Sequence, residues 1–453
     1  MAASASSKKP TRKTLEALLN EEHSVEKFVI EGGHPISGTL RPMGSKNEAL
    51  PAIAATLLTD EPVILRNIPE IRDCLVMMRV LEAMGAKVDR LEPNTYRIDN
   101  SGVDTWRLDP ELCSKVRVSI LFVGPMLART GRVELPPPGG DVIGRRRLDT
   151  HFIGVKALGA DVTVGRTFYL ESKGLRGADI FLDEASVTGT ENILMAAVAA
   201  KGHTCIRNAA CEPHVQGLAR MLIAMGAKIE GIGTNYLAVE GTGRLSGTDY
   251  TIGSDYLEVG SFIGAAAVTR GELRIPNVKR EDMRNILMTY RKLGIETYFD
   301  DDDVLVVPGQ RHLKVQSELL GHIPKIDDAP WPQFPTDLMS IAIVAATQAE
   351  GTVLFFEKMF DGRMFFVDHL IAMGARIILC DPHRVVVVGS SQLYGCRVES
   401  PDIRAGMALL LAALAAEGET HIFNIRQIDR GYQNIDKRLN EAGARIRRVK
   451  LGA

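Results

Sequence analysis

The strongest constraint on how this chain can fold is an internal repeat. A segment that reads as a helix end, a glycine and an alternating strand occurs six times: LEAMGAKVDR, VKALGADVTV, LIAMGAKIEG, YRKLGIETYF, LIAMGARIIL and LNEAGARIRR. The glycines are Gly85, Gly159, Gly226, Gly294, Gly374 and Gly443, between 67 and 80 positions apart. Self-similarity at a long, nearly fixed period marks a chain built from copies of one supersecondary unit. Glycine suits the position because the residue that ends a helix commonly needs positive φ. Upstream of each copy lies a second shared segment, a small-residue apolar helix running into a turn and a strand, as in ILMAAVAAKGHTCI and GMALLLAALAAEGETHIF. These helices are apolar on nearly every face, so they are expected inside, with the sheets outside.

A chain of 453 residues exceeds what one hydrophobic core usually serves. Six units divide naturally as three plus three, giving an α/β chain of two similar domains with a ligand cleft between them. A closed solenoid that only binds is the competing reading of the repeat.

Composition excludes several classes of function. Hydrophobic residues at 45% and charged residues at 24% describe an ordinary globular chain. A formal net charge of −2 lacks the basic surplus that general nucleic-acid binding requires. No apolar run approaches a membrane span, and the start, MAASASSKKPTRK, is not followed by an apolar leader segment. The six cysteines are scattered without a C-x-x-C pair, which fits a reduced, cytoplasmic setting. Neither paired histidines nor a carboxylate cluster with metal spacing is present, so neither metal nor cofactor is expected.

Polar and ionic residues recur just before the apolar helices: Lys46 and Asn47, Arg117, Ser186 to Asn192, Asp255 with Glu258, Asp337, and Asp402 with Arg404. Buried helices have no internal use for them. If the units are pseudo-symmetric, the six helix N-termini can converge on the cleft, where free N–H groups favour phosphate or carboxylate. Asp402, Thr336 and Thr190 fit plain helix capping equally well. Residues 136–151, PPPGGDVIGRRRLDTH, read as a loop with one acid, Asp141, and three arginines able to bind anions bidentately. Near the C-terminus Arg430 stands at a turn, where a surface ion pair with Asp429 is the plain alternative.

Five of these stretches, GSKNEALP, GGDVIGRRRLD, SVTGTEN, FPTD and IDRGY, resemble in order the motifs of the UDP-N-acetylglucosamine enolpyruvyl transferase family, and the likeness covers the chain from about Phe28 onward. The resemblance implies a two-domain inside-out α/β barrel with six βαβαββ units, three per domain. The division expected is a flexible tail at 1–24, a domain at 45–252 carrying the catalytic loop, and a second domain from 25–44 plus 253–449. It implies transfer of the enolpyruvyl group of phosphoenolpyruvate to the 3-hydroxyl of UDP-N-acetylglucosamine in peptidoglycan synthesis. By the same resemblance Lys46, Asp141, Asp337 and Arg430 are catalytic. Asn47, Arg117, Arg146, Arg147, Leu148, Asp149, Thr150, Ser186, Val187, Met359, Arg363 and Arg404 bind substrate.

The chemistry accounts for this set. Desolvating a phosphate and a carboxylate calls for permanently charged donors such as Arg117, Arg146 and Arg430 with Lys46. Addition of a hydroxyl to C2 requires a proton delivered to C3 and one taken from the hydroxyl. Asp141 as acid and Asp337 as base or orienting group fill these roles, and replacing Asp337 or Lys46 is expected to abolish turnover without disturbing the fold.

Three departures stand out. Asp141 replaces the cysteine common in the family, whose alkylation by the epoxide fosfomycin inactivates relatives; Glu184 replaces a basic residue; and Arg147 replaces a proline, with SVTGT in place of SVGAT. A paralogue that enolpyruvylates another nucleotide-sugar, or one that only binds, remains open at this point.

Overall fold

The computed structural model describes Leu15, residues 26–139 and residues 147–451. Within them the strands form six sheets. One unit shows the plan in full. Asp179–Phe181 leads through helix Val187–Ala197 to the parallel strand His203–Arg207. Helix Pro213–Ala224 then leads to Lys228–Glu230, which returns as Tyr236–Glu240 to pair antiparallel with His203–Arg207. This is a βαβαββ unit.

The first helix of each unit is central, and these are denoted α1 (Lys46–Ala55), α2 (Val123–Thr130), α3 (Val187–Ala197), α4 (Tyr256–Thr269), α5 (Met339–Gln348) and α6 (Ile403–Ala415). Every residue of α4 is buried, as are nine of the ten in α5. Helices α4, α5 and α6 pack on one another, and α3 touches both α1 and α2. Close approach depends on small residues: a Cβ on Gly264 of α4 would lie 2.5 Å from Ile341 Cγ2 and 3.0 Å from Leu411 Cδ2. Against that tight contact, each fully buried leucine of α6 contributes about 1.5–3 kcal/mol. The expectation of helices inside and sheets outside therefore holds. So does the glycine reading, with φ between 79° and 104° at all six repeat glycines.

The buried apolar residues fall into two clusters. One runs from Ala49 to Ile252, and the other joins Phe28–Leu40 to Tyr256–Ile446. Leu15, from the stretch read as a tail, is helical and buried in the first cluster.

The chain passes between the clusters twice, side by side. Gly44 bridges Ser254, Ser45 N donates to Gly253 O and Asp255 N donates to Met43 O. The strands beside this crossing pair within their own cluster. Gly38–Thr39 pairs with Leu273–Ile275 of the second cluster's sheets, whereas Asp249–Thr251 pairs with Val63–Arg66 of the first. Likewise Glu26–Glu31 lies between Glu419–Phe423 and Arg445–Lys450, completing the last unit. Glu258 braces the crossing by accepting from Met43 N and from Arg438. None of the helices described is long and apolar enough to cross a membrane.

Candidate active site

The starts of four central helices, and the turns that lead into the other two, line one cavity of about 450 Å³. Lys46 and Asn47 enter it from α1, Arg117 from the turn that leads into α2, and Ser186 and Val187 from α3. Tyr256 and Leu257 open α4, Asp337 lies in the turn before α5, and Arg404 opens α6. The starts of α1, α3, α4 and α6 thus line one space, where their N-terminal partial charges suit an anion. Arg147, Met359, Arg363 and Arg430 complete the wall from the connecting segments. Asp141 and Arg146 lie outside the described residues.

Two charge clusters organise the cavity. In the first, Lys46 Nζ lies 3.3 Å from Asp73 Oδ2 while Arg430 Nε donates to Asp73 Oδ1 at 3.0 Å. Burial alone would raise the Asp73 pKa, but the charges and hydrogen bonds of Lys46 and Arg430 outweigh it and hold the carboxyl below its ordinary value. In the second, Asp337 sits between Arg363 Nη2 at 3.0 Å and Arg404 Nη2 at 2.8 Å. Both guanidiniums are almost fully buried, at 4% and 7% exposure, and Asp337 keeps 24%. Burial again works against ionisation of Asp337, and the nearby charges of Arg404, Arg363 and Lys46 override it, so this carboxyl lies well below the usual range. Arg404 also donates to Tyr432 Oη at 3.1 Å.

Burial also shifts other ionisable groups near the cavity. Burial, reinforced by Glu212 and Glu48, pushes Glu191 well above its ordinary value, and Glu212 is raised by burial as well. Burial lowers His214 to about 4 and His151 to about 3. Among the described residues, the closest charge pairs in the cavity are those of Asp73 with Lys46 and Arg430 and of Asp337 with Arg363 and Arg404.

At the other end Arg147 pairs with Asp149 at 3.2 Å and with Asp183 at 2.6 Å. Thr150 donates to Asp183 at 2.8 Å and is 3.4 Å from Glu184, which also lines the cavity. Arg117 Nη2 donates to Arg147 O, and Leu148 precedes the helix Asp149–Ala157 that carries Thr150. Ser186 caps α3 by accepting from Gly189 N at 3.2 Å. Met359 N donates to Glu357 Oε1, as does Phe360 N, while the Thr336 hydroxyl donates to the same carboxyl.

Several sequence expectations change. Asp402 caps α6 through Arg404 N and Ala405 N, and Asp255 caps α4 through Leu257 N and Glu258 N. Thr190 and Thr336 are not caps: Thr190 accepts from Ala210 N, and Thr336 is tied to Glu357. Asn192 ties α3 to α2 by accepting from Gly124 N at 2.6 Å, so its polar group serves packing. Arg430 does not pair with Asp429. Asp429 belongs to Arg448 on the outer sheet, whereas Arg430 turns inward to Asp73. Asp73 and Glu357 were missed. An acid in a first helical turn, like Asp73, ordinarily serves the helix dipole, and nothing local marks it as a partner for two cations.

A family model described as EPSP synthase (3-phosphoshikimate 1-carboxyvinyltransferase) matches residues 30–439. The UDP-N-acetylglucosamine 1-carboxyvinyltransferase of Bradyrhizobium diazoefficiens is 56% identical over 422 residues, covering 93% of this chain and 98% of that protein. The protein of the same name from Treponema denticola is 54% identical, covering 93% and 99%. Among solved structures, the enolpyruvyl transferase NikO from Streptomyces tendae superposes with a TM-score of 0.83 at 22% identity, over 95% of this chain and all of that one. EPSP synthase from Acinetobacter baumannii reaches 0.74 at 19% identity, over 94% and 100%. These two likenesses establish the fold, the two-domain enolpyruvyl transferase architecture. With a matching family model along most of its length and relatives at more than half identity, the chain belongs to the 1-carboxyvinyltransferase family, alongside the UDP-N-acetylglucosamine 1-carboxyvinyltransferases.

Proposed function

We propose that this enzyme transfers the carboxyvinyl group of phosphoenolpyruvate to the 3-hydroxyl of UDP-N-acetylglucosamine, with release of phosphate. The arrangement that carries the reading is the single cavity in which Lys46 and Arg430 come together on one side and Asp337 stands between Arg363 and Arg404 on the other. The first group offers fixed cations to the phosphate. The second offers a carboxylate to a hydroxyl and arginines to the substrate carboxylate. Arg117 adds positive charge from the turn before α2, and Arg146 is assigned to the phosphate by the resemblance alone.

In this reading Asp141 delivers a proton to C3 as the acceptor oxygen bonds to C2, forming a tetrahedral phospholactoyl ketal. Loss of the C3 proton with departure of phosphate then restores the double bond on the acceptor. The lowered pKa of Asp337 makes it a weak base. Its role is therefore to orient the hydroxyl through a charge-assisted hydrogen bond and to accept its proton only as the C2–O bond forms, when that hydroxyl turns strongly acidic. The nucleotide lies toward Arg147, Leu148, Asp149, Thr150, Ser186 and Val187, with Asn47 and Met359 nearer the sugar. No cofactor or metal is required, because the arginines and Lys46 supply the positive charge.

The acid at Glu184 favours a second reading in which the acceptor is a different nucleotide-sugar, since Glu184 lines the cavity where a basic residue would meet a diphosphate. Incubation with phosphoenolpyruvate and a panel of nucleotide-sugars, followed by product mass and phosphate release, separates the two. Phosphate release with UDP-N-acetylglucosamine alone supports the first. Turnover only with another acceptor, or with none, overturns it.

A further inference from the structure

The two cations read above as phosphate ligands share one anion, Asp73. Asp73, at the start of helix Arg72–Ala83, has only 6% of its side chain exposed. Lys46 Nζ lies 3.3 Å from its Oδ2, while Arg430 places Nε 3.0 Å from Oδ1 and Nη2 3.4 Å from Oδ2. Lys46 belongs to the first apolar cluster's side of the molecule, as does Asp73, and Arg430 to the second, so the contact also ties the two halves across the cavity. All three residues line it. Gln433 ties the same segment down by accepting from Glu70 N at 2.7 Å and Asn94 Nδ2 at 2.9 Å.

We infer that Asp73 is a positioning residue that competes with the substrate phosphate: it bridges Lys46 and Arg430 and reclaims them when inorganic phosphate leaves. The inference rests on the proposed assignment of those two cations to the phosphate. Two cations brought to one partly buried point repel each other, and an anion between them offsets that repulsion until phosphate takes its place. The burial of Asp73, opposed by both charges, keeps it ionised and available for this purpose. The contact has an opposite consequence for affinity. Phosphate must share or displace Asp73, so its apparent binding is weakened by the fraction of enzyme in which the cations are engaged, and the same competition speeds product release.

The test measures inorganic phosphate binding by calorimetry, and its competition against phosphoenolpyruvate, in the full chain as wild type, Asp73→Asn, Asp73→Glu and Lys46→Ala. Asp73→Asn is expected to bind phosphate about tenfold more tightly while kcat falls about tenfold, because the competitor has gone and release has become slow. A residue that only stabilised the fold would not tighten phosphate binding. Asp73→Glu, which keeps the charge, is expected to stay nearer wild type on both measures. Asp73→Ser, smaller and also neutral, carries the same expectation as Asn if the Asn variant does not fold. Unchanged or weaker phosphate binding in the neutral variants, with Lys46→Ala weakening it, overturns the inference alone. Phosphate binding untouched by Lys46→Ala overturns the cation assignment on which it rests.

Discussion

Arg404 Nη2 stands 2.8 Å from Asp337 Oδ2, so the first turn of α6 neutralises the carboxylate that precedes α5. Removing that charge has two effects. Asp337→Asn loses the group that engages the acceptor hydroxyl, and kcat/KM is expected to fall about 100- to 10,000-fold. It also leaves Arg363 and Arg404 buried beside a neutral amide. A cost of about 1–3 kcal/mol is expected, below that of a fully buried pair because part of Asp337 meets water. The expectation of an undisturbed fold is thus revised for this residue. Lys46→Ala, in contrast, leaves Asp73 paired with Arg430, so its melting temperature should stay near wild type while turnover is lost. Steady-state rates with thermal melts check both, and more than a tenth of wild-type kcat/KM in either removes that residue from the mechanism.

Glu48 makes stability depend on pH. Burial raises its pKa from 4.5 to about 7, against hydrogen bonds from Tyr250 Oη and Gly253 N. Between those values the folded chain holds a proton that the unfolded chain has released, so stability falls as pH rises from about 4.5 to about 7 and stays lower above. The contribution is about 3 kcal/mol. Urea unfolding at pH 5 and pH 8 should show a smaller pH difference in Glu48→Gln than in wild type. The other raised acids leave a residual slope, and equal slopes in the two proteins would refute the assignment.

Glu357 braces the cavity from behind. Burial and the neighbouring Asp328 raise its pKa, so it is protonated near neutrality, and it accepts from Met359 N, Phe360 N and the Thr336 hydroxyl. Glu357→Gln resembles that protonated form and should change acceptor KM less than about threefold. Glu357→Ala strands three donors, and the loss of bracing next to Asp337 should raise acceptor KM by about tenfold or more with a lower melting temperature. Matching kinetics in the two variants would argue against a protonated Glu357.

Asp141 lies outside the described residues, and its prediction follows from chemistry alone. A carboxylate attacks an epoxide far more slowly than a thiolate does, so inactivation by fosfomycin is expected to be slow or absent. Asp141→Cys should keep activity and become sensitive, whereas Asp141→Asn has no proton to deliver and should lose turnover. Residual activity after timed incubation with the drug reads out all three. Rapid inactivation of the wild type, or near-normal turnover by the Asn variant, would remove Asp141 from its role as acid.

The sequence alone determined the repeating architecture and much of the cavity's membership. The six glycines report a backbone conformation, and the apolar helices report burial. Both are local properties written within a few residues of one another. Because each unit repeats, the polar residues at one helix start implied five further positions, and Lys46, Arg117, Ser186, Asp337 and Arg404 all reach the same space. Only the tertiary structure decided what those side chains do there. Asp73 and Arg430 are 357 positions apart, and no local period links them. Asp402 and Asp255 cap helices, Asn192 joins two of them, and Arg430 turns away from Asp429, although each looked equally available in the sequence. Which strands Gly38–Thr39 and Asp249–Thr251 pair with is likewise not written in the local pattern, since any unit's edge could accept either strand. A short-range pattern fixes the face a residue presents, whereas its partner depends on which units the folded chain brings together.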